Sequence, residues 1–243
     1  MIFANSQAAG MGPHEDVICR YENYQAVFTL SRWYSELTRK TMKQQNCHRI
    51  IDFIAPASWL MFRGTDEMRK VAGATTPKYE VPSRWPYMQT IERDALIVVK
   101  GGAQEQEIGA KLAARFPSNV VLTYGKFTRD ALLDAAMSSR ACFYVSREDH
   151  YPLAAVEIGL MGCPIISDER SCPVLAHRIN GVVCPVRERG ESSPFLWAPD
   201  AAERLAAEWS GAVTMDRGAI RQATIWRQSA PAAVERIAAA LEV

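Results

Sequence analysis

The sequence predicts an α/β protein built on a doubly wound parallel sheet, and three observations carry that expectation. Apolar runs of strand length recur along the second half of the chain: Ala95–Val99, Val120–Tyr124, Ala141–Val145, Ile165–Ile166 and Gly181–Pro185. Stretches of helix length and composition separate most of them. Glycine, proline or a short polar residue marks the junctions, as at Gly101-Gly102, Thr128 and Gly162-Cys163-Pro164. Strands that alternate with helices pair in parallel through right-handed crossovers, and such sheets bind ligands beyond the carboxyl ends of their strands.

In chain order, the segment to about Glu22 is interrupted by Gly10, Gly12 and Pro13 and reads as short strands and loops, with His14 in a loop. Tyr24–Leu30 has the composition of a buried strand. Ser31 is a good N-cap for an amphipathic helix from Arg32 to about Gln44, and Ile50–Ile54 is the next strand, so this stretch forms a β-α-β unit. Between Ser58 and Arg93, Gly64, Gly73, Pro77, Pro82 and Pro86 break any periodicity, as in a crossing between two lobes. From Ala95 the pattern sharpens. A helix is expected from Gln104 to Arg115, a second from Arg129 to Ser138 capped by Thr128, and a third from Pro152 to Met161, with proline in its first position. Beyond Pro199, helices are expected over Asp200–Trp209 and Pro231–Leu241.

Composition narrows the function classes. The chain has 243 residues, 48% of them hydrophobic and 23% charged, which suits one or two domains with a sizeable core. With 28 basic and 27 acidic residues the net charge is +1, so no global field draws it to nucleic acid or to an anionic membrane. No run is long and apolar enough to span a bilayer, and MIFANSQAAGMGPHED lacks the features of a signal peptide. A cytoplasmic location is expected. The six cysteines form no CxxC pair and read as reduced thiols, and the four histidines have no ligand-type spacing, so no metal is expected.

The chemistry gathers at three places. Lys100-Gly101-Gly102 sets a cation and two flexible residues at a strand end before a helix, which suits a diphosphate; a surface lysine on an ordinary turn is the alternative. The loop Ser146-Arg147-Glu148-Asp149-His150 leads into a helix whose amide groups and dipole favour an anion. Within that helix LAAVEIGLM carries one charge, Glu157, on a segment with no evident solvated face, so the carboxylate needs a partner. Asp149 and Glu157 can line one pocket; otherwise Asp149 caps the helix and Glu157 pairs with an arginine. Arg129 and Arg147 are secondary cation candidates, otherwise solvated or remote from any phosphate.

The run from Ser146 through Asp149, Leu153 and Glu157 to Gly162-Cys163-Pro164 resembles the nucleotide-sugar-binding signature of retaining GT-B glycosyltransferases of the family-4 kind. The resemblance implies a GT-B-like fold, with a Rossmann-type doubly wound donor lobe and a small truncated α/β acceptor lobe. It also implies that Glu157 binds the donor ribose and that Asp149 contacts the transferred sugar. That place is usually glutamate, so the acid here is one methylene shorter. Lys100 matches the family's phosphate-contacting position, with Gly101, Gly102, Ser146, Pro152 and Leu153 around the diphosphate. Tyr124, Gly125, Lys126 and Phe127 look like the loop that holds the base. Gly12-Pro13-His14 matches a glycine-rich loop facing the cleft; from its loop position His14 either approaches the anomeric centre or is a plain loop histidine. Catalytic roles therefore fall to Lys100, Asp149 and His14, with a nucleoside-diphosphate sugar, UDP-linked by preference, as donor and no tightly bound cofactor.

The expected division is a short acceptor-side lobe over 1–62, a linker over 63–93, a nucleotide-sugar-binding domain over 94–198 and C-terminal helices over 199–243. The first lobe is shorter than is usual in the family. A large acceptor, a partner subunit or second copy that completes the cleft, or loss of catalysis would each accommodate this. A GT-B-like nucleotide-sugar epimerase and a non-catalytic binding or assembly subunit stay open beside the transferase. Arg32, Trp33, Arg39, Lys40 and Lys43 form a local basic and aromatic stripe that suits a nucleic-acid acceptor such as modified DNA, or else a solvated helix face. If the stripe binds duplex DNA, retention falls by orders of magnitude between about 50 and 200 mM salt. A flat titration in a filter-binding assay assigns it to solvent.

Overall fold

The computed structural model describes residues 2–3, 27–29, 50–52, 90–149, 152–188 and 196–228. Two parallel sheets are present among them. Strands β1 (Ile2–Phe3), β2 (Val27–Thr29) and β3 (Ile50–Asp52) lie in the order β1-β2-β3, with Val27 opposite both Ile2 and Ile50. The parallel pairing of β2 with β3 is that of the β-α-β unit expected there. Its helix, His14, the linker up to residue 89, the basic stripe at Arg32, Trp33, Arg39, Lys40 and Lys43, and the helix expected over Pro231–Leu241 lie outside the described residues.

The second sheet comprises β4 (Arg93–Lys100), β5 (Asn119–Thr123), β6 (Ser139–Ser146), β7 (Ile165–Ser167) and β8 (Gly181–Val183). Their order is β5-β4-β6-β7-β8 and every pairing is parallel. Helices follow as α1 (Ala103–Arg115), α2 (Arg129–Ser138), α3 (Leu153–Leu160), α4 (Ala201–Ala207), α5 (Trp209–Ala212) and α6 (Arg217–Gln228).

Continuous apolar strands arise because both faces of the sheet are covered. Leu96, Val98, Cys142 and Tyr144 point into one core with Leu132 of α2 and Val156 and Ile158 of α3. Their neighbours Ala95, Ile97, Val99 and Phe143 point into the other, with Ile108 and Leu112 of α1 and Leu205 of α4. Helices on both faces make the sheet doubly wound, as the alternation of strands and helices predicts.

Helix α2 begins and ends where expected, and Thr128 caps it by accepting from the Ala131 amide at 3.2 Å. Pro152 stands at the N-cap of α3 rather than in its first turn, so that helix is one residue shorter at each end than expected. The single helix expected over Asp200–Trp209 is two, α4 and α5, divided at Glu208. Helix α6 has no counterpart in the sequence reading. Its sequence RGAIRQATIWRQ is polar by composition, and tertiary packing stabilises it: Thr224 is buried close to Gly159 of α3. Arg217, which opens α6, donates to the carbonyls of Ala136, Ser139 and Met161 at 2.8–3.3 Å, so one cation satisfies the carboxyl-terminal ends of α2 and α3.

The described cysteines 142, 163, 172 and 184 are free and buried. Burial pushes all four thiols up, Cys163 to about 11 against the opposing pull of Arg217, and Cys184 to about 12. The turn after α3 depends on Gly162, whose φ is 71°. A Cβ there would stand 2.5 Å from the Arg217 carbonyl oxygen. Gly162→Ala therefore lowers stability by about 1–3 kcal/mol, seen as a lower urea midpoint at unchanged slope.

Candidate functional site

Strand order places the site. The chain leaves β4 for β5 on one side, then crosses back to β6 on the other, so β4 and β6 flank the point at which the winding reverses. In open α/β sheets the crevice beyond the carboxyl strand ends at that point receives ligands. Lys100 and Ser146 are register partners at those two ends, and the Arg147 amide donates to the Lys100 carbonyl at 3.1 Å. Beside them the Tyr124 amide donates to the Val99 carbonyl at 2.8 Å and brings the end of β5 alongside.

Lys100 is the centre of this group. Its Nζ lies 2.7 Å from Oδ2 of Asp149 and 4.8 Å from the centroid of the Tyr124 ring. The Tyr144 hydroxyl, inside the core, donates to the same Oδ2 at 3.2 Å. Asp149 is only 9% exposed, and its own amide donates to the Arg170 carbonyl at 2.9 Å. Tyr124 is 54% exposed, with Phe127 edge-on to it at 6.3 Å. Gly125 makes this turn at φ 81°, and Lys126 is exposed on it. An exposed aromatic ring beside a lysine and an open turn can stack a base next to an anion.

The glycine turn after β4 differs from expectation in one respect. The Gly102 amide, expected to face a diphosphate, donates instead to Oε2 of Glu105 at 2.8 Å. Glu105 is 3% exposed and its other oxygen accepts from Trp197 Nε1 at 2.7 Å. The turn is thus tied down from within, and Lys100 carries its positive charge to the crevice. Trp197 in turn lies under the Arg187 guanidinium, 3.5 Å from ring centroid to Cζ. Arg187 pairs with Asp168 at 3.1 Å and donates to the Ser146 carbonyl at 2.7 Å, while the Ser171 hydroxyl donates to that carbonyl at 2.6 Å. A buried polar chain from Glu105 through Trp197, Arg187 and Asp168 to Ser171 therefore braces the ends of β4 and β6 together. The sequence reading did not find these residues. The glutamate three residues after the Gly102 cap was the available signal, since that spacing marks a capping box.

Glu157 and Arg129 form the second charged group. Arg129, expected to be solvated, begins α2 and ion-pairs through Nε with Oε1 of Glu157 on α3. Glu157 thus has the arginine partner that was one of its two readings, whereas Asp149 does not cap α3, whose N-cap is Pro152. Burial raises the Glu157 carboxyl above its ordinary range, and Arg129 offsets that only in part. Pro152 is buried at the start of α3 and Leu153 is exposed there. Among the described residues, no group of three metal-ligating side chains occurs and no helix is long and apolar enough to cross a membrane.

No protein-family model matches the chain, and no curated protein matches its sequence. Its backbone does match solved structures. A mutant of TarM from S. aureus, in complex with fondaparinux, alpha-GlcNAc-glycerol and UDP, aligns over 94% of this chain and 46% of its own at 9% identity and a TM-score of 0.56. The fold is GT-B. Sucrose-phosphate synthase from Thermosynechococcus elongatus aligns over 98% of this chain and 63% of its own, at 13% identity and a TM-score of 0.48. AviGT4, a glycosyltransferase involved in avilamycin A biosynthesis, aligns over 90% and 65%, at 13% and 0.44. The chain thus spans about half to two thirds of the length of these proteins. Its five-stranded sheet supplies the Rossmann-like parallel winding of a GT-B fold, and Lys100, Asp149, Tyr124 and Ser146 stand at or just beyond the carboxyl ends of its strands.

The Glu157–Arg129 pair has a definite pH signature. A carboxyl raised in the folded state holds its proton more tightly there than in the unfolded chain, so stability falls as pH rises out of the ordinary carboxylate range and then levels off. Arg129→Leu removes the opposing cation, costs about 1–3 kcal/mol at neutral pH, and steepens that fall. Adding Glu157→Gln abolishes the extra slope, as urea titrations across pH would show.

Proposed function

We propose that this chain is a glycosyltransferase that moves a sugar from a nucleoside diphosphate to an acceptor hydroxyl with retention of anomeric configuration. The observation that carries the reading is Lys100, set at the winding-reversal point of a GT-B fold between an exposed tyrosine and Asp149. As the bond between the sugar and the diphosphate breaks, negative charge grows on the leaving oxygen. A fixed ammonium and the amide groups at the start of α3 stabilise that charge, an effect worth several kcal/mol in a closed site.

In this reading Tyr124, with Gly125, Lys126 and Phe127, receives the base. Glu157 accepts from the ribose hydroxyls while Arg129 holds its carboxylate in place. Asp149 orients the sugar, and His14 approaches from the acceptor side. UDP bound to TarM favours a UDP-sugar donor. The proposed division is an acceptor-side lobe over 1–62 and a donor lobe over 94–198, joined by 63–93, with the helices of 199–243 packed behind.

A thermal-shift panel of UDP-, GDP- and ADP-sugars tests this directly. A saturating donor at about 100 times its Kd stabilises the folded state by about 2.7 kcal/mol, and UDP-sugars give the largest rise in Tm. Lys100→Ala and Glu157→Ala each remove most of that rise. If no nucleotide sugar moves the Tm of the intact chain, the reading fails.

A further inference from the structure

The least explained polar atom near the site is the hydroxyl of Tyr144. The residue is 1% exposed and packs among Leu96, Cys142, Ala155 and Val156, where a phenylalanine would fill the same space. Burial and the nearby Asp149 charge push its phenol well above the ordinary tyrosine range, so the group stays protonated and acts as a donor. A buried phenol needs an acceptor, and this one is aimed at Oδ2 of Asp149, the oxygen that also receives Lys100. Three elements therefore converge on one carboxylate oxygen: the end of β4, the interior of β6 and the loop that follows β6.

We propose that Tyr144 is a positioning residue that holds Asp149 as the resident counter-anion of Lys100, a latch that an incoming phosphate must replace. That the phosphate belongs to a nucleotide rests on the function proposed above. The latch itself follows from the geometry. Asp149 is short and buried, and Tyr144 fixes its Oδ2 towards the ammonium. Lys100 is thereby kept between Asp149 and the Tyr124 ring, at a fixed point in the crevice instead of sweeping through solvent on a flexible stem. When a diphosphate takes the lysine, Tyr144 keeps its hydrogen bond to Asp149 and the carboxylate stays in place beside the sugar position.

Trace acetylation of the intact, ligand-free chain, read peptide by peptide in a mass spectrometer, tests this without any nucleotide. A lysine amine held against a carboxylate and an aromatic ring must leave both before it meets the reagent, so Lys100 is shielded while the latch holds. Lys100 reacts more slowly than Lys126, which is exposed on the turn after β5. Asp149→Asn accelerates Lys100 by about tenfold and Tyr144→Phe by about threefold, the sizes expected for losing a charge-assisted and a neutral hydrogen bond, with Lys126 unchanged. Tyr144→Phe with a wild-type Lys100 rate overturns the proposal, whatever its Tm. If that variant does not fold, Asp149→Glu carries the same test while leaving Tyr144 in place: its longer side chain shifts the carboxylate off the Tyr144 hydroxyl, and an unchanged Lys100 rate overturns the proposal again. A final arm adds UDP. Protection of Lys100 in the wild type supports both readings. If the variants release Lys100 but UDP protects nothing, the latch stands and the nucleotide reading falls.

Discussion

Strand β4 stands second in the five-stranded sheet, hydrogen-bonded to β5 on one side and β6 on the other. The parallel register between β4 and β6 is the constraint on which the site depends, because it makes Lys100 and Ser146 neighbours and sends both following loops out of the same edge. Parallel strands with helices on both faces leave little room for a polar group except at that edge. The interior residues Ala95 to Val99 are buried, and the first charge after them is Lys100.

Charge at the edge is controlled by pairing. Lys100 meets Asp149, Glu157 meets Arg129 and Asp168 meets Arg187. The three pairs differ in what surrounds them. The Arg187–Asp168 pair is the most enclosed and is hydrogen-bonded to the Ser171 hydroxyl and the Ser146 carbonyl, as a charge pair must be when taken from water. It acts as a brace. The Lys100–Asp149 pair opens towards the crevice on its lysine side, which leaves the ammonium within reach of a ligand. Glu157 lies between these cases. Its arginine makes the buried carboxylate tolerable but does not return it to ordinary acidity.

Much of this architecture was legible in the amino-acid order. The strands from Ala95 to Val183, the cap at Thr128 and the turn at Gly162 follow from local apolar patterning and from backbone needs that only a few residue types meet. The helix read after Ser146 is α3, one residue shorter at each end than its apolar pattern suggests. Helix α6 was not expected, because RGAIRQATIWRQ is polar by composition, and the face it buries meets Gly159 of α3, a surface that no local rule reveals. Arg129 was misread for a similar reason: a residue at an exposed helix start looks solvated until its tertiary neighbour is known.

By itself, then, the sequence determined the alternation of strands and helices, the parallel winding that this alternation forces, and the few charged residues that an apolar sheet can tolerate at its ends. These are local properties of periodicity, chain reversal and desolvation. Only the tertiary structure decided how the charges are partnered. Glu105 with Trp197, Glu157 with Arg129, and Asp149 with both Lys100 and Tyr144 join residues from separate elements. Which of several nearby cations a buried carboxylate meets is set by packing angles and strand register, and those exist only once the whole sheet has assembled.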